Sequence, residues 1–536
     1  MLKLPNHSTG QFDVKAANDN LSEKNLAFLV FLGTMIIGAW LRMIPAASVN
    51  FPINDGGMFF TMIRDLQKNG FALPAFTTYN NLSIPFSYPP LSFYFAGLLN
   101  YYLKLDLLSF LTWFPAIINI FTLPAFLYLA KIILKSDIKA SIAAFLYALT
   151  PLSMDWFLMG GGLTRSLGQL FLILACIFYF KLFEKHSPAV LFLAVVFSAL
   201  LILTHPESAI LAVCSGICIW FFSSRNKSTV IDAAIIVFGT VILVSPWLIL
   251  VISRTGLTPF LNAFQTNGSS LLLWRALFTF DFAQEKGLPF LSVTGLLGIF
   301  YLLSQRKYFL PIWMALPFFI NPRSAARLAI IPLAMIAAIF TMEIIIPGLF
   351  SIKIPKKKSS RLPLILIAVY ISGYMIINSY SLASDMSREI VSKNELASFS
   401  WIQRSTPINS TFIVLTGRPN FMRDPVQEWF PALTGRTSLT TMQGREWTWG
   451  TKFMSSLIEY QGLHKCISEN AACIDEQTSK LGLNFDYLYV SKPLPADCST
   501  GIDCQASSIL VNDLNNSQEY SMIFENQSSI IFQKLK

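Results

Sequence analysis

Residues 88–105 read YPPLSFYFAGLLNYYLKL, and whether this run crosses a membrane decides the side on which every later loop lies. It is apolar and aromatic over most of its length, close to the roughly 20 residues a helix needs to span a bilayer core. The rest of the chain repeats such runs. Of 536 residues, 54% are hydrophobic and only 13% charged, with mean hydropathy +0.54; a soluble protein carries about a quarter charged residues. This is the composition of a polytopic helical membrane protein. The net charge of +10 belongs to its loops. No basic tract is interleaved with aromatics, so no nucleic-acid partner is expected.

Residues 1–25 are polar, and the apolar run from Leu26 is long enough to span, which reads as a cytoplasmic tail and a first membrane helix rather than a cleaved signal. Runs at 26–44, 108–134, 139–157, 166–183, 188–204, 207–222, 229–252, 288–304, 308–321, 325–346 and 362–380 predict about eleven transmembrane helices. If 88–105 does not span, loops on the tail's side carry fourteen Lys and Arg between Lys131 and Arg361, against six opposite: Arg165, Arg254, Arg275, Lys286, Arg323 and Arg327. That bias obeys the positive-inside rule, and a spanning 88–105 would invert it. Residues 45–106 are therefore one long external loop, with YPPLSFYF at or dipping into the interface. Within it, GGMFFTMIRDLQKNG (56–70) places Met58, Phe59, Met62, Ile63 and Leu66 on one helical face. Such a helix lies flat on the outer leaflet or packs onto the protein itself.

Beyond about residue 381 polar residues rise and no further span appears. NELASFSWIQRSTP reads as helix, NSTFIVLTG and FDYLYVSK as strands, and YSMIFENQSSIIFQKL as a terminal hairpin. The expected organisation is a tail (1–25), a transmembrane domain (26–380) and an extracytoplasmic soluble α/β domain (381–536). Cys176, Cys214 and Cys218 fall in spans; Cys466, Cys473, Cys498 and Cys504 fall in the last domain. In an oxidising compartment these four predict two disulfides, most naturally Cys466–Cys473 and Cys498–Cys504, among three connectivities. Zinc is the alternative, although no CxxC pair exists and His464 is the one nearby histidine.

The polar residues at the external helix ends carry the functional reading. Asn54 and Asp55, in PINDGGMF (52–59), follow the first span; an Asp there also reads as a helix cap. Asp155 and Arg165 flank WFLMGGGLT. His205 and Glu207 fill the short turn THPES, and Arg323 and Arg327 open a span in NPRSAAR. Arg254, Arg275, Asp281 and Glu285 occupy loop 253–287. Ionisable groups at membrane depth are costly and mark functional sites. Plainer readings stand beside this: Asp155 as a cap, His205–Pro206 as a helix end, Glu207 as a partner of the helix dipole. Arg323 and Arg327, four apart, share a helical face. They clamp an anionic head group or snorkel to lipid phosphates.

The layout resembles integral-membrane glycosyltransferases of the GT-C fold, which use polyprenyl-phosphate-linked sugars. The likeness rests on NDGG with Asp55 after the first span and on the surface helix. It rests also on SYPPLSFYFAGLL, on Asp155 as a second acidic position, and on Arg323 and Arg327 in a later external loop. EWFPALTGR and YSMIFENQSSIIFQK look like the tails of poorly characterised bacterial members. The resemblance implies a transferase in the inner (plasma) membrane, part of cell-envelope assembly and inverting in mechanism. It would move a sugar from a polyprenyl-phosphate donor to a lipid, glycan or protein acceptor. Asp55 would be the base or hold the acceptor, and Arg323 and Arg327 would neutralise the lipid phosphate. His205 and Glu207 would hold acceptor, phosphate or a divalent cation (Mg or Mn), with Asn54, Asp155 and Arg165 lining the site. The Trp-Trp-Asp motif of the oligosaccharyltransferase branch is missing, since EWTWG (446–450) has no aspartate. The acidic-x-acidic motif is missing too, since Trp156 and Phe157 follow Asp155. Neither metal dependence nor a protein acceptor then follows from the resemblance. Two other classes share this composition: a transporter or lipid flippase, which predicts internal repeats and mid-span polar residues, and a non-catalytic assembly protein.

Overall fold

The structure, a computed structural model, describes residues 14–223, 226–266, 277, 280, 283–351, 362–418, 423–492 and 506–535. The first ten helices are α1 (Val14–Ser48), α2 (Gly57–Lys68), α3 (Leu91–Leu103), α4 (Leu107–Leu134), α5 (Asp137–Ala148), α6 (Gly162–Glu184), α7 (Pro188–Ile202), α8 (Pro206–Phe222), α9 (Lys227–Thr255) and α10 (Thr258–Gln265). Then come α11 (Phe290–Ser304), α12 (Phe309–Ile320), α13 (Pro322–Phe340, running on through a π turn), α14 (Leu362–Met386), α15 (Lys393–Ser405) and α16 (Pro425–Thr434). Among the described residues, six helices are long and apolar enough to cross a membrane: those at 22–48, 107–134, 162–184, 227–255, 322–349 and 365–386. The other five predicted runs also hold helices, but shorter ones.

The predicted run 139–157 is helical only as α5, twelve residues, about 18 Å at 1.5 Å per residue. Thr150 precedes Pro151, which disfavours helix, and two 3₁₀ turns carry the chain on to Phe157. The Arg42 guanidinium of α1, fully buried, takes the freed Ala148 carbonyl at 3.0 Å and bonds Ser153 Oγ and Asn119 Oδ1.

The deciding run 88–105 forms α3, thirteen residues, about 20 Å and short of a ~30 Å core. Its Leu91 N–H donates to the Leu203 carbonyl at 2.9 Å, which ties its start to the turn between α7 and α8. Helix α2 buries Met58, Phe59, Phe60, Met62, Ile63 and Leu66 against α3 and α16. Of the two readings of its apolar face, packing on the protein itself is the observed one.

Five strands, β3 (Thr411–Leu415), β4 (Thr437–Ser438), β5 (Tyr487–Ser491), β6 (Tyr520–Glu525) and β7 (Ser529–Lys534), form one sheet in the order β4-β3-β5-β7-β6. β3 is parallel to β4 and β5, whereas β5–β7 and β6–β7 are antiparallel. A separate hairpin of β1 (Phe76–Thr77) and β2 (Ile84–Pro85) lies in loop 45–106. Side chains alternate along the sheet strands. Ile413, Leu415, Leu488, Val490 and Phe532 pack under three further helices, Phe453–Lys465, Ala471–Leu481 and Ala506–Asn516. Phe412, Val414, Tyr487, Tyr489 and Ile531 join Phe399, Trp429 and Phe430 in a core that also contains Met58, Phe59 and Phe93. The inner face of the sheet is thus packed against the loop that follows α1.

Candidate functional site

Asp55 sits between α1 and α2, and it does not cap α2. The N-cap is Gly56, at φ 122°, with no side-chain cap. The orphan N–H groups of a helix start need acceptors, and Glu428 of α16 supplies one, accepting from Met58 N–H at 3.1 Å and Gly56 N–H at 3.4 Å. Asp55 is left to turn elsewhere. Its Oδ1 accepts from Gly161 N–H at 2.7 Å and its Oδ2 from Arg165 at 2.7 Å.

The triple glycine 160–162 makes this approach feasible. A Cβ on Gly160 would lie 2.0 Å from the Asp55 carbonyl oxygen, and one on Gly161 2.6 Å from Asp55 Oδ2. Ile53 and Gly160 are joined by a backbone bond of 2.9 Å. The loop after α1 is therefore laid directly on the turn that opens α6.

Arg165, in the first turn of α6, also stacks on Trp156, with 5.2 Å from guanidinium to ring. Its charge is felt at Glu207 and Arg327. Glu207 opens α8 and receives Arg327 at 2.6 Å and Arg323 at 3.7 Å. The four-residue spacing of these arginines thus aims both at one carboxylate. Arg323 also donates to Thr266 Oγ1 at 3.0 Å. Asp55, Arg165, Glu207, Arg323 and Arg327 form one electrostatic cluster at the ends of four separate helical segments.

Of the remaining predicted residues, His205 lies within electrostatic reach of Glu207, Arg165, Arg323 and Arg327; the others take other positions. Asp155, almost fully buried, pairs with Arg423 and lies 3.5 Å from Gln284. Arg423 reaches Glu389 at 3.4 Å and also lies over the Trp156 ring, 5.0 Å from guanidinium to ring. His205 caps α8, its Nδ1 accepting from Ser208 N–H at 3.2 Å, with the Tyr88 ring 6.5 Å away. Asn54 is buried; its amide donates to Met159 Sδ at 3.3 Å and its carbonyl accepts from Trp429 Nε1 at 3.0 Å. Arg254 donates to the Leu73 carbonyl and Glu285 caps α11 through Leu291 and Ser292. Cys466 and Cys473 are joined in a disulfide. Cys498, Cys504, Arg275 and Asp281 lie outside the described residues.

Glu428, Arg423, Glu389 and Trp429 are residues that sequence reasoning missed. Burial pushes Glu428 up to about 8, with the neighbouring Asp55 charge adding to it against the two N–H donors. Burial likewise raises Glu389 to about 7, against the pull of Arg423. Nothing local in EWFPALTGR signals contact with residues 54–58.

Among the described residues, no group of three or more His, Cys, Asp or Glu side chains is placed to hold a metal ion. The carboxylates of Asp55, Asp155 and Glu207 each face arginine instead, so this donor set does not fit the divalent cation the sequence left open.

No known protein family matches the sequence, and no curated protein matches it. Solved structures do. The archaeal oligosaccharyltransferase AglB from Archaeoglobus fulgidus, in complex with an inhibitory peptide and a dolichol-phosphate, superposes with TM-score 0.50 at 15% identity, over 92% of this chain and 72% of its own. ArnT from Cupriavidus metallidurans bound to undecaprenyl phosphate gives 0.51 at 12% identity, over 94% and 97%. The arabinofuranosyltransferase AftD from mycobacteria gives 0.52 at 12%, over 94% of this chain and 40% of its own. At such identities the likeness is one of architecture, and the chain has the GT-C fold that its sequence resemblance implied.

Proposed function

We propose that this chain is a membrane glycosyltransferase that moves a sugar from a polyprenyl-phosphate donor to an acceptor on the side of loop 45–106. We place that side outside the cytoplasm, with eleven spans and the sheet domain facing the same compartment. The observation that carries the reading is the cluster itself: on a GT-C frame, two carboxylates and three arginines converge from helix ends. Arg165, Arg323 and Arg327 exceed the two acids, Asp55 and Glu207, by one positive charge, which suits a phosphate.

Asp55 acts as the base or holds the acceptor hydroxyl. Arg165 and the Gly161 N–H orient its carboxylate and leave lone pairs free on both oxygens. Arg323, the more exposed arginine, and Arg327 meet the lipid phosphate and stabilise it as it leaves. A single displacement of the phosphate by the acceptor oxygen inverts the anomeric carbon. Below Glu207 an apolar groove of 440 Å³ runs between α6, α7, α8 and α9, from Leu201 and Ala209 down to Trp220 and Ala233. It suits an isoprenoid chain whose phosphate lies at the arginines. The acceptor's class, whether lipid, glycan or protein, is set by groups the cluster does not identify.

The test is transfer from a labelled lipid-linked sugar by membrane fractions carrying Asp55→Asn. A loss of about 100-fold or more is expected, the range for a positioned base; wild-type turnover would sink the assignment.

A further inference from the structure

At the end of the bundle opposite the cluster, a cavity of 490 Å³ opens between α4, α8, α11, α12 and α13. A second, of 450 Å³, adjoins it and shares Ile133, Phe222 and Phe309 as a common wall. Both are lined mostly by apolar side chains, with polar groups at their rims. The rim of the first is basic: Lys139 at the start of α5, and Arg306 and Lys307 in the tight turn between α11 and α12. Glu343 is the acid on this rim, and Lys139 at 2.5 Å and the Tyr301 hydroxyl at 2.7 Å already occupy its two oxygens. Lys135 and Glu184, 3.6 Å apart, balance each other at the second cavity. Among the described residues, two positive charges are left over, carried by the exposed side chains of Arg306 and Lys307.

We infer that this double cavity is a binding site for an anionic phospholipid, distinct from the transfer site. Its phosphate would sit between Arg306 and Lys307 and its two chains on either side of the Phe222–Phe309 wall. Three features select that chemistry. The position, between helices and level with their ends, is where lipid head groups lie. The surplus charge favours an anion, as basic pockets between membrane helices do. Two apolar compartments behind one charged rim match a two-chain amphiphile rather than a free anion.

The experiment is lipid retention by the purified full-length chain in neutral detergent, counted by native mass spectrometry, with phosphatidylglycerol and phosphatidylcholine as probes. Wild type should retain phosphatidylglycerol in preference to phosphatidylcholine. R306Q/K307Q should weaken that retention roughly 30-fold, the share of two basic side chains near an anionic surface. R306K/K307R keeps the charge and should restore it, which separates charge from folding. Millimolar inorganic phosphate should not displace the lipid. Equal retention of both lipids by wild type, unchanged retention by R306Q/K307Q, or displacement by inorganic phosphate alone would each overturn the inference. Lipid retention is read without glycosyl transfer, so this proposal and the transfer reading fail separately.

Discussion

Asp55 and Glu428 exchange the roles their positions suggest. Asp55 stands where a cap belongs and bonds Gly161 and Arg165, while Glu428, 372 residues from Gly56, caps the helix. Gly161 is the hinge of that exchange. Gly161→Ala would set a methyl 2.6 Å from the Asp55 carboxylate and 2.8 Å from Arg165. Transfer should fall by about 100-fold, as for a 1 Å misplacement at a reacting centre, while the thermal midpoint stays near wild type. Glu428 carries a pH signature. Its folded value of about 8 exceeds the ordinary 4.5, so between these pH values the unfolded chain releases a proton that the folded chain keeps. Stability then falls as pH rises through that window. Glu428→Gln keeps an acceptor for the N–H groups and should make the fall shallower in thermal melts from pH 5 to 8. Glu389, raised to about 7, leaves a residual decline.

At the scale of elements, short connections with fixed chemistry do the positioning. The turn 151–165 brings Asp155, Trp156, three glycines and Arg165 together, and two arginines lie over the Trp156 ring, one from the turn and one from the sheet domain. Arg423 locks this turn to the domain through Asp155 and Glu389. Arg423→Ala would leave a buried carboxylate without its cation, at a cost of about 3 kcal/mol, to be read as a lowered thermal midpoint. Element type was largely legible: the helix at 393–405, strands β3 and β5 and the terminal hairpin follow their sequence periods. The helical end of α5 was not, because a continuous apolar run hides the Thr150–Pro151 stop that Arg42 then accommodates.

Across the whole molecule, the sheet domain is packed on the loop that carries Asp55 rather than standing apart as an appendage. Phe399, Trp429 and Phe430 share one core with α2 and α3. Cut away as residues 387–536, the domain would expose that aromatic face, and such patches drive association. Size-exclusion chromatography of the isolated domain should show self-association or aggregation, and a stable monomer would contradict this packing.

The sequence by itself determined the membrane class, most of the helical runs, the sheet domain's first helix, its strands β3 and β5 and its terminal hairpin, and the short list of ionisable residues at helix ends. Those properties are local, written in composition and period. It also assigned the GT-C architecture through Asp55, the Tyr-Pro-Pro segment and the later arginines. Only the tertiary structure decided which charges meet. The Asp55–Arg165 and Glu207–Arg327 pairs span 110 and 120 residues, and Glu428 reaches Met58 across 370. No periodicity encodes such contacts; they follow from how the helices pack and from three glycines that let two backbones touch.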